Sequence, residues 1–333
     1  MDECETICLP NNTVIIIRRL LANDNIEEVL ECFNDDLDSF DCPSTTSAFF
    51  HNDSLSFWIA IVKSSSKIVG VCGCPFGPNQ THFLGLYGVA NGFRSFGIGT
   101  RLFQQCVSTI GDRNAGLYAV PKMLEKYLHQ TDFKLKEGKA MISFRGVLNE
   151  TILDDCDSEI DSSIKIIKFD RSTNQDDDLE TKLIDFDSKV HQESRSRLLR
   201  FILTDSSYST MVAVDKNNTD RIQGYGCLRQ HSLSKRFYLG PLYIDKNGND
   251  DNRKRFRSIV ARMLVKELLR NDLDRIRSNG LIWNCIDANP DSLRLPNSFG
   301  LIECERCERL FTKHFIQANF EMIYAVFSPD FSL

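Results

Sequence analysis

A glycine-containing turn between a strand-like run and a helix-like run is the segment best suited to chemistry. It reads Arg94-Ser95-Phe96-Gly97-Ile98-Gly99-Thr100. Glycine lets a backbone approach a ligand closely and adopt positive φ. A helix N-terminus adds unpaired N–H groups and the positive end of its dipole. The pattern predicts a pyrophosphate over Gly97–Gly99 with Arg94 near its charge; the alternative is an ordinary strand–helix turn.

Two better-known phosphate motifs do not fit this turn. The Walker P-loop requires Gly-Lys-Ser/Thr, and no such sequence follows Gly99. The dinucleotide fingerprint requires a third glycine and a strand near the start of the domain. The turn therefore predicts a phosphate site of a different kind.

The elements that must position this turn occur in the same order in both halves of the chain. In the first half we predict strands at Thr13–Leu20, Ser56–Val62, Lys67–Cys74, His82–Phe93, Ala115–Val120 and Lys139–Gly146. We predict helices there at Asn25–Asn34, Gly97–Ile110 and Pro121–Gln130. In the second half we predict strands at Ser163–Phe169, Ser209–Val214, Arg221–Leu228, Phe237–Ile244, Leu281–Asp287, Arg309–Thr312 and Glu321–Phe327. We predict a mostly helical run at Leu179–Leu203, a long helix at Asn252–Arg270 and a short helix near Ser292. Because strands come in adjacent pairs, the α+β class with mixed, largely antiparallel sheets fits better than a doubly wound parallel sheet.

The length of 333 residues agrees with two domains. The acidic, Ser-containing stretch 151–161 is the predicted linker, which gives domains at 1–150 and 162–333. The first 160 residues hold 13 Lys and Arg against 21 Asp and Glu, and the rest hold 27 against 25. An acidic first half favours a cationic ligand such as an amine, although a surface tuned for solubility explains it equally well.

The sequence Arg94-Ser95-Phe96-Gly97-Ile98-Gly99 resembles the R/Q-x-x-G-x-G/A signature of the GNAT superfamily, the acetyl-CoA-dependent N-acyltransferases. Val89 precedes it at the end of the fourth strand, and the amphipathic helix 98–110 follows it. The second half resembles the divergent GNAT-like domain of tandem members, with Leu239–Tyr243 ending its fourth strand. The resemblance covers nearly the whole chain and implies two tandem GNAT-like domains.

The resemblance also implies a cosubstrate, acetyl-CoA or another acyl-CoA, and transfer of its acyl group to a small amine or amino-acid-like acceptor. The pantetheine arm would pair with the backbone of Leu86, Tyr87 and Val89 like an added strand. The pyrophosphate would be held by Arg94, Ser95 and the N–H groups of Phe96, Gly97, Ile98, Gly99 and Thr100.

Two residues are candidates for proton transfer. The family often carries a tyrosine before a Gly-Phe pair in the helix after the fifth strand, which makes Tyr127 the candidate donor to the leaving thiolate. Here Asp132 replaces that glycine and the segment is one residue longer, so a packing role for Tyr127 is equally open. The fourth strand lacks the glutamate that many members use as a base. His82 is the candidate base, against a capping histidine or a water relay.

The second half has one glycine, Gly248, at the place equivalent to the phosphate turn, and aspartates crowd the helix start. Aspartates there cap the N–H groups and repel phosphate. We therefore expect a degenerate copy that does not bind the cosubstrate. A non-catalytic CoA-binding or metabolite-sensing protein is the alternative function, and a purely structural module is a third.

Composition excludes several other classes of protein. The net charge of −6 argues against nucleic-acid binding, and no window approaches 18 consecutive apolar residues. The acidic N-terminus does not resemble a signal peptide, so a cytoplasmic protein with free thiols at its 12 cysteines is expected. The C-x-x-C at Cys304–Cys307 has no second ligand pair, so no metal site is predicted. The sequence leaves the oligomeric state open.

Overall fold

The structure is a computed structural model that describes residues 4–31, 41–148, 161, 163–170, 176–246 and 251–331. The first half contains β1 (Glu5–Cys8), β2 (Val14–Arg19), α1 (Ile26–Glu31), α2 (Pro43–Asn52), β3 (Phe57–Val62), β4 (Ile68–Gly73), β5 (Thr81–Phe83), β6 (Gly85–Val89), α3 (Ile98–Ile110), β7 (Asn114–Ala119), α4 (Leu124–Gln130) and β8 (Leu135–Gly146).

The second half begins with β9 and ends with β15. Its elements are β9 (Ile164–Lys168), α5 (Asp176–His191), α6 (Ser196–Thr204), β10 (Tyr208–Asp215), β11 (Ile222–Gln230), β12 (Phe237–Ile244), α7 (Asp251–Leu269), α8 (Leu273–Asn279), β13 (Leu281–Ile286), α9 (Pro290–Ser298), β14 (Ile302–Phe311) and β15 (Ile323–Ala325).

Helix α3 forms because one of its faces is apolar. Its buried residues recur every four positions, at Ile98, Leu102, Cys106 and Ile110. This face packs on the sheet at β4, where a Cβ on Gly70 would lie only 2.9 Å from Leu102 Cδ1. The missing side chain at Gly70 therefore lets α3 approach the sheet closely. This close packing fixes where the first turn of α3 lies.

The first sheet belongs entirely to the first half of the chain. Its strands follow the order β1-β2-β3-β4-β6, and each neighbouring pair is antiparallel. Strand β6 therefore forms one edge of this sheet. Helices α1 and α3 both contact β4.

The second sheet crosses from one half of the chain to the other. Its order is β5-β7-β14-β8-β13-β12-β11-β10-β9, with β15 beside β12. Strand β14 of the second half lies between β7 and β8 of the first half. Strand β8 in turn pairs with β13 of the second half. The two halves thus exchange one strand each, and each half needs the other to complete its sheet.

A buried ion pair joins the two exchanged strands. Arg309 Nη1 on β14 lies 2.7 Å from Glu137 Oε2 on β8, and both side chains are inaccessible to solvent. Lys139 Nζ lies 3.0 Å from the other oxygen of Glu137. The Arg309 guanidinium also lies over the rings of Phe311 and Phe320. Because a buried charge without its partner is strongly destabilising, this pair ties β14 to β8.

The predicted fold class is confirmed, since two mixed sheets are flanked by helices. Two details of the prediction are wrong. The run His82–Phe93 is not one strand but β5, β6 and a turn of 3₁₀ helix at Asn91–Phe93. Helix α2 and strand β1 are absent from the prediction, whereas the mostly helical run Leu179–Leu203 is confirmed as α5 and α6. Helix α2 is rich in Ser and Thr, which are weak helix formers, and it buries Ala48, Phe49 and Phe50.

The limits of the predicted domains stay a prediction. All of the linker 151–161 except Asp161 lies outside the described residues. The ten described cysteines are free thiols. Among the described helices, none is both long and apolar enough to cross a membrane.

Candidate functional site

The strands at the centre of the first half separate at one point. Strand β5 runs parallel to β7, and the pairing continues to Leu84, whose N–H donates to the carbonyl of Gly116 at 2.8 Å. Two residues later Leu86 has a φ of +48°, and the register between β4 and β6 shifts. From there β6 pairs only with β4 among the described residues. The other edge of β6 is therefore available to an extended ligand.

The turn that follows β6 presents backbone N–H groups to solvent. Ser95 and Gly97 have φ values of +69° and +77°. Gly97 is the N-cap of α3, so the first turn of the helix has no capping side chain. A Cβ on Gly97 would meet nothing within 4 Å, which leaves open space in front of the turn. An uncapped N-terminus beside open space is suited to an oxyanion such as pyrophosphate.

The other residues of the turn are placed as follows. Gly99 packs against β6, because a Cβ there would lie 2.9 Å from Tyr87 Oη and 3.3 Å from Val89 Cγ2. Its N–H still belongs to the uncapped first turn of α3. Arg94 is exposed and donates from Nε to the carbonyl of Val89 at 2.8 Å. Phe96 is 42% exposed at the tip of the turn.

A groove of about 900 Å³ runs between α3 and α4. Tyr87 and Tyr127 both line it, together with Phe103 and Phe133. The Tyr127 side chain is buried, with its ring 6.2 Å from that of Phe103 and 6.4 Å from that of Phe133. Burial raises the pKa of Tyr87 to about 12 and that of Tyr127 still further. Both phenols therefore keep their proton at neutral pH.

His82 lies outside this groove. It is buried on β5, and its Nδ1 lies 2.7 Å from the carbonyl oxygen of Cys74. Burial lowers the pKa of the imidazole. The side chain lines a separate cavity of about 720 Å³ at the other end of α3. The structure thus does not bring the two predicted proton-transfer residues, His82 and Tyr127, into one cavity.

A residue that sequence reasoning missed lies at the point where the strands separate. The Oδ1 atom of Asp330 accepts a hydrogen bond from the N–H of Leu86 at 3.2 Å. Its Oδ2 atom accepts one from the N–H of Asp41 at 3.0 Å. Burial raises the pKa of Asp330 to about 7, and the negative charge of Asp41 acts in the same direction. A carboxyl group with this pKa can take up or release a proton near neutral pH.

The segment that carries Asp330 is anchored by a buried arginine. Arg229 on β11 donates to Asp41 Oδ1 at 2.6 Å and to the carbonyl of Phe327 at 2.9 Å. Gly85 completes the fit, because a Cβ there would lie 2.2 Å from the carbonyl oxygen of Asp330. The sequence holds no local signal for this arrangement, since Asp330 follows the last strand and is 244 residues from Leu86.

Asp330 also faces a small cavity between the two halves of the chain. This cavity of about 80 Å³ is lined from the first half by Tyr118, Ser143 and neighbours and from the second half by Asn284 and Glu305. Two carboxyl groups, Asp330 and Glu305, thus border a space large enough for a small functional group. Arg145 lines the same space, so the cavity joins two carboxyl groups and one guanidinium.

Part of the first half matches a known protein family. Residues 17–124 match the family model described as the acetyltransferase (GNAT) family. The match runs from the last three residues of β2 to the first residue of α4, and it therefore contains the separated strands and the glycine turn.

The chain carries a GNAT domain. No curated protein sequence matches it significantly. Among solved structures, a provisionally assigned acetyltransferase of Pyrococcus horikoshii has a TM-score of 0.65 at 17% identity, with 95% of each chain covered. A tandem GNAT protein of the clavulanic acid biosynthesis pathway has a TM-score of 0.61 at 14% identity, covering 89% of this chain and 98% of that one. N-myristoyltransferase of Saccharomyces cerevisiae, with bound myristoyl-CoA, has a TM-score of 0.61 at 11% identity, covering 97% and 90%.

These similarities extend over both halves, so the chain has the tandem GNAT fold. In the second GNAT-like half, β12 pairs in parallel with β13 over Phe237–Leu239. Beyond Gly240, β15 pairs with Leu242 and Tyr243. This is the edge that stays free on β6 in the first half. Residues 247–250 of the equivalent turn, including Gly248, lie outside the described residues.

The raised pKa of Asp330 gives a prediction for stability. The folded protein holds this proton up to about pH 7, whereas an ordinary Asp loses it near 3.8. The stability that the proton contributes is therefore complete below about pH 4 and is lost as the pH rises to about 7. Asp330→Asn mimics the protonated form, so its stability relative to the wild type should rise over this range by up to about 1.4 kcal/mol per pH unit.

Denaturant unfolding of both proteins between pH 4 and pH 8 measures this difference. Asp132→Asn, at an exposed carboxylate, is the control and should keep the wild-type pH dependence. Parallel curves for Asp330→Asn and the wild type would contradict the assignment of a raised pKa.

Proposed function

We propose that this protein is an N-acyltransferase that moves an acyl group from acyl-CoA, with acetyl-CoA as the first candidate, to the amine of a small or amino-acid-like acceptor. One observation carries the proposal. In a GNAT domain, the free edge of β6 adjoins an uncapped glycine turn at the start of α3. An extended arm that ends in a pyrophosphate matches these two features together.

The chain's own groups suit the parts of acyl-CoA. The N–H groups from Phe96 to Thr100 would hold the pyrophosphate, with Arg94 and Ser95 beside it. The backbone of Leu86, Tyr87 and Val89 would pair with the amides of the pantetheine arm. The groove between α3 and α4 supports this placement, since Tyr87 of β6 and Thr100 at the start of α3 both line it. The thioester would then lie close to Leu86, where β6 and β7 separate.

Asp330 is the proposed proton acceptor for the acceptor amine. An amine is protonated near pH 7 and must lose a proton before it attacks a carbonyl. Asp330 adjoins Leu86 and lines the small cavity between the halves, and burial raises its pKa to about 7. In the ionised form it can accept this proton. This proposal takes the role first considered for His82, which lines a different cavity.

Tyr127 is the proposed donor to the departing thiolate. As the new C–N bond forms, the C–S bond breaks and the sulfur needs a proton. The Tyr127 phenol lines the groove and carries a proton at neutral pH, as a tyrosine does at its ordinary pKa and also where burial raises that pKa. Nitrogen loses two protons between the ammonium form and the amide. Asp330 takes the first and passes it to solvent, and the second, released as the C–N bond forms, replaces the proton that Tyr127 gives to the sulfur.

We also propose that only the first domain, within 1–150, binds acyl-CoA, and that the degenerate second domain, within 162–333, completes the acceptor side. Strand β15 supports this division, because it occupies the edge of β12 at which a second pantetheine would add. Asp330 and Glu305 support it as well, since the second half supplies both carboxyl groups of the small cavity.

Binding is tested by Gly97→Asp. The aspartate would be strained at a φ of +77° and would place a negative charge in front of the N–H groups. We expect the Kd for acetyl-CoA, measured by calorimetry, to rise at least about 100-fold, which corresponds to about 2.7 kcal/mol. Gly138→Asp is the matched control, because Gly138 also has positive φ and open space around its Cα.

Two outcomes of this experiment would count against the proposal. If neither acetyl-CoA nor myristoyl-CoA binds the wild-type protein, the cosubstrate is misassigned. If Gly248→Asp lowers the affinity as much as Gly97→Asp does, the wrong half has been chosen.

The role of Asp330 predicts a pH dependence of turnover. Because the carboxyl must be ionised to accept a proton, kcat/KM should fall as the pH drops below about 7. Asp330→Asn should lower kcat by about 10²- to 10⁴-fold and remove that limb of the profile. The assay follows release of free CoA with a panel of amines, amino acids and polyamines. A variant with wild-type kcat and an unchanged profile would exclude this role.

The two phenols of the groove allow a matched test of the donor. Tyr127→Phe should lower kcat by about 10²-fold or more with little change in the Kd for acetyl-CoA. Tyr87→Phe removes a hydroxyl from the same groove and should leave kcat within a few-fold of the wild type. Equal effects of both changes would point to packing rather than proton transfer. Tight binding without turnover of any amine would instead favour a CoA-binding sensor.

A further inference from the structure

A second cavity, of about 720 Å³, lies at the end of α3 opposite the glycine turn. Its cationic lining comes from three separate elements: Arg19 at the end of β2, Arg113 after α3 and Arg197 at the start of α6. Helix α6 belongs to the second half, so the cavity lies between the halves. Its volume is within the range of small-molecule sites.

None of these three arginines is paired with a carboxylate among the described residues. Arg113 donates to the carbonyls of Thr109 and Ile110, and Arg197 donates to that of His51 at 2.6 Å. The Arg19 guanidinium lies 4.5 Å above the centre of the Trp58 ring. Neutral partners thus hold each cation in place and leave further N–H groups for a ligand, because a guanidinium has five.

One carboxylate, Asp53, lines the cavity, and it has donors of its own. Its Oδ2 accepts hydrogen bonds from Ser56 Oγ at 2.5 Å and from the N–H of Phe76 at 2.9 Å. It forms no ion pair with the three arginines. The cavity therefore keeps an excess of positive charge in a chain whose net charge is −6. Concave walls concentrate such a potential and attract anions.

Two buried nitrogen atoms of the lining residues lack a hydrogen-bond partner among the described residues. They are Nη1 of Arg19 and Nε2 of His82. Because a carbonyl can only accept, the bond to Cys74 places the proton of the neutral imidazole on Nδ1. Nε2 of His82 is then a buried acceptor. Unpartnered buried polar atoms are costly, and a ligand that both accepts and donates would satisfy these two.

We propose that this cavity binds a small oxyanion that also carries a hydrogen-bond donor, as a phosphate monoester or a hydroxycarboxylate does. The oxyanion contacts Arg19, Arg113 and Arg197, and its donor group meets Nε2 of His82. The site goes beyond the proposed function and does not depend on it, since of its lining residues only Arg113 also borders the groove between α3 and α4.

The probes for this site are inorganic phosphate and citrate, titrated separately by calorimetry at constant 0.15 M chloride (about the physiological ionic strength). We expect saturable binding of at least one probe, and the probe that binds distinguishes the phosphate from the carboxylate form of the ligand. Arg19→Gln and Arg197→Gln should each weaken that binding at least tenfold. Arg200→Gln is the matched control, because Arg200 lies on the same helix and pairs with Glu180.

Gly97→Asp separates this site from the proposed acyl-CoA site. Phosphate or citrate binding at the arginine cavity should persist in Gly97→Asp, whether or not that variant still binds acetyl-CoA. The proposal is overturned if neither probe binds, or if binding survives both arginine changes. Arg197 is exposed, so its variant remains a test even if Arg19→Gln lowers the unfolding temperature.

Discussion

The separation of β6 from β7 at Gly85–Leu86 is the constraint on which the rest of the site depends. Up to Leu84 the backbone pairs with β7, and after Leu86 one edge of β6 has no partner among the described residues. A backbone edge without a partner is normally a liability that a protein covers. Here it continues into an uncapped helix N-terminus. The same departure from regular pairing thus gives both a surface for an extended ligand and an anchor for its charge.

The exchange of β8 and β14 explains how residues from the end of the chain reach this point. The segment that follows β14 first pairs with β12 of the second half through β15 and then returns to the first half at Asp330. Arg229 and Asp41 then fix that segment, and Asp330 lies against the N–H of Leu86. The second half therefore acts on the site by supplying structure and charge. A cosubstrate site of its own is not needed for that role.

The features that could be predicted from the sequence are those that depend on interactions between residues close together in the chain. The glycine turn and α3 are found from Gly97 and the apolar face of one helix, because turn chemistry and period act over a few residues. The break at Leu86 could not be found, since a positive φ at leucine is imposed by tertiary contacts. Asp330 could not be found either, because its pKa and position depend on residues more than 240 positions away. The surroundings of His82 could not be predicted for the same reason: its strand was identified, but the cavity it lines is built by residues of β2, α2, α3 and α6.

The edge of β6 in the first half and the equivalent edge of β12 in the second half differ in what lies against them. In each half a glycine stands where a Cβ would collide with the chain's own C-terminal segment, Gly85 with Asp330 and Gly240 with Val326. In the second half the residues just before Val326 form β15 and pair with β12, so their carbonyl and N–H groups satisfy the edge. In the first half the C-terminal segment approaches by a side-chain carboxyl and leaves the backbone of β6 unpaired. Since a backbone edge can be paired only once, β15 fills in the second half the edge that β6 leaves unpaired in the first half among the described residues.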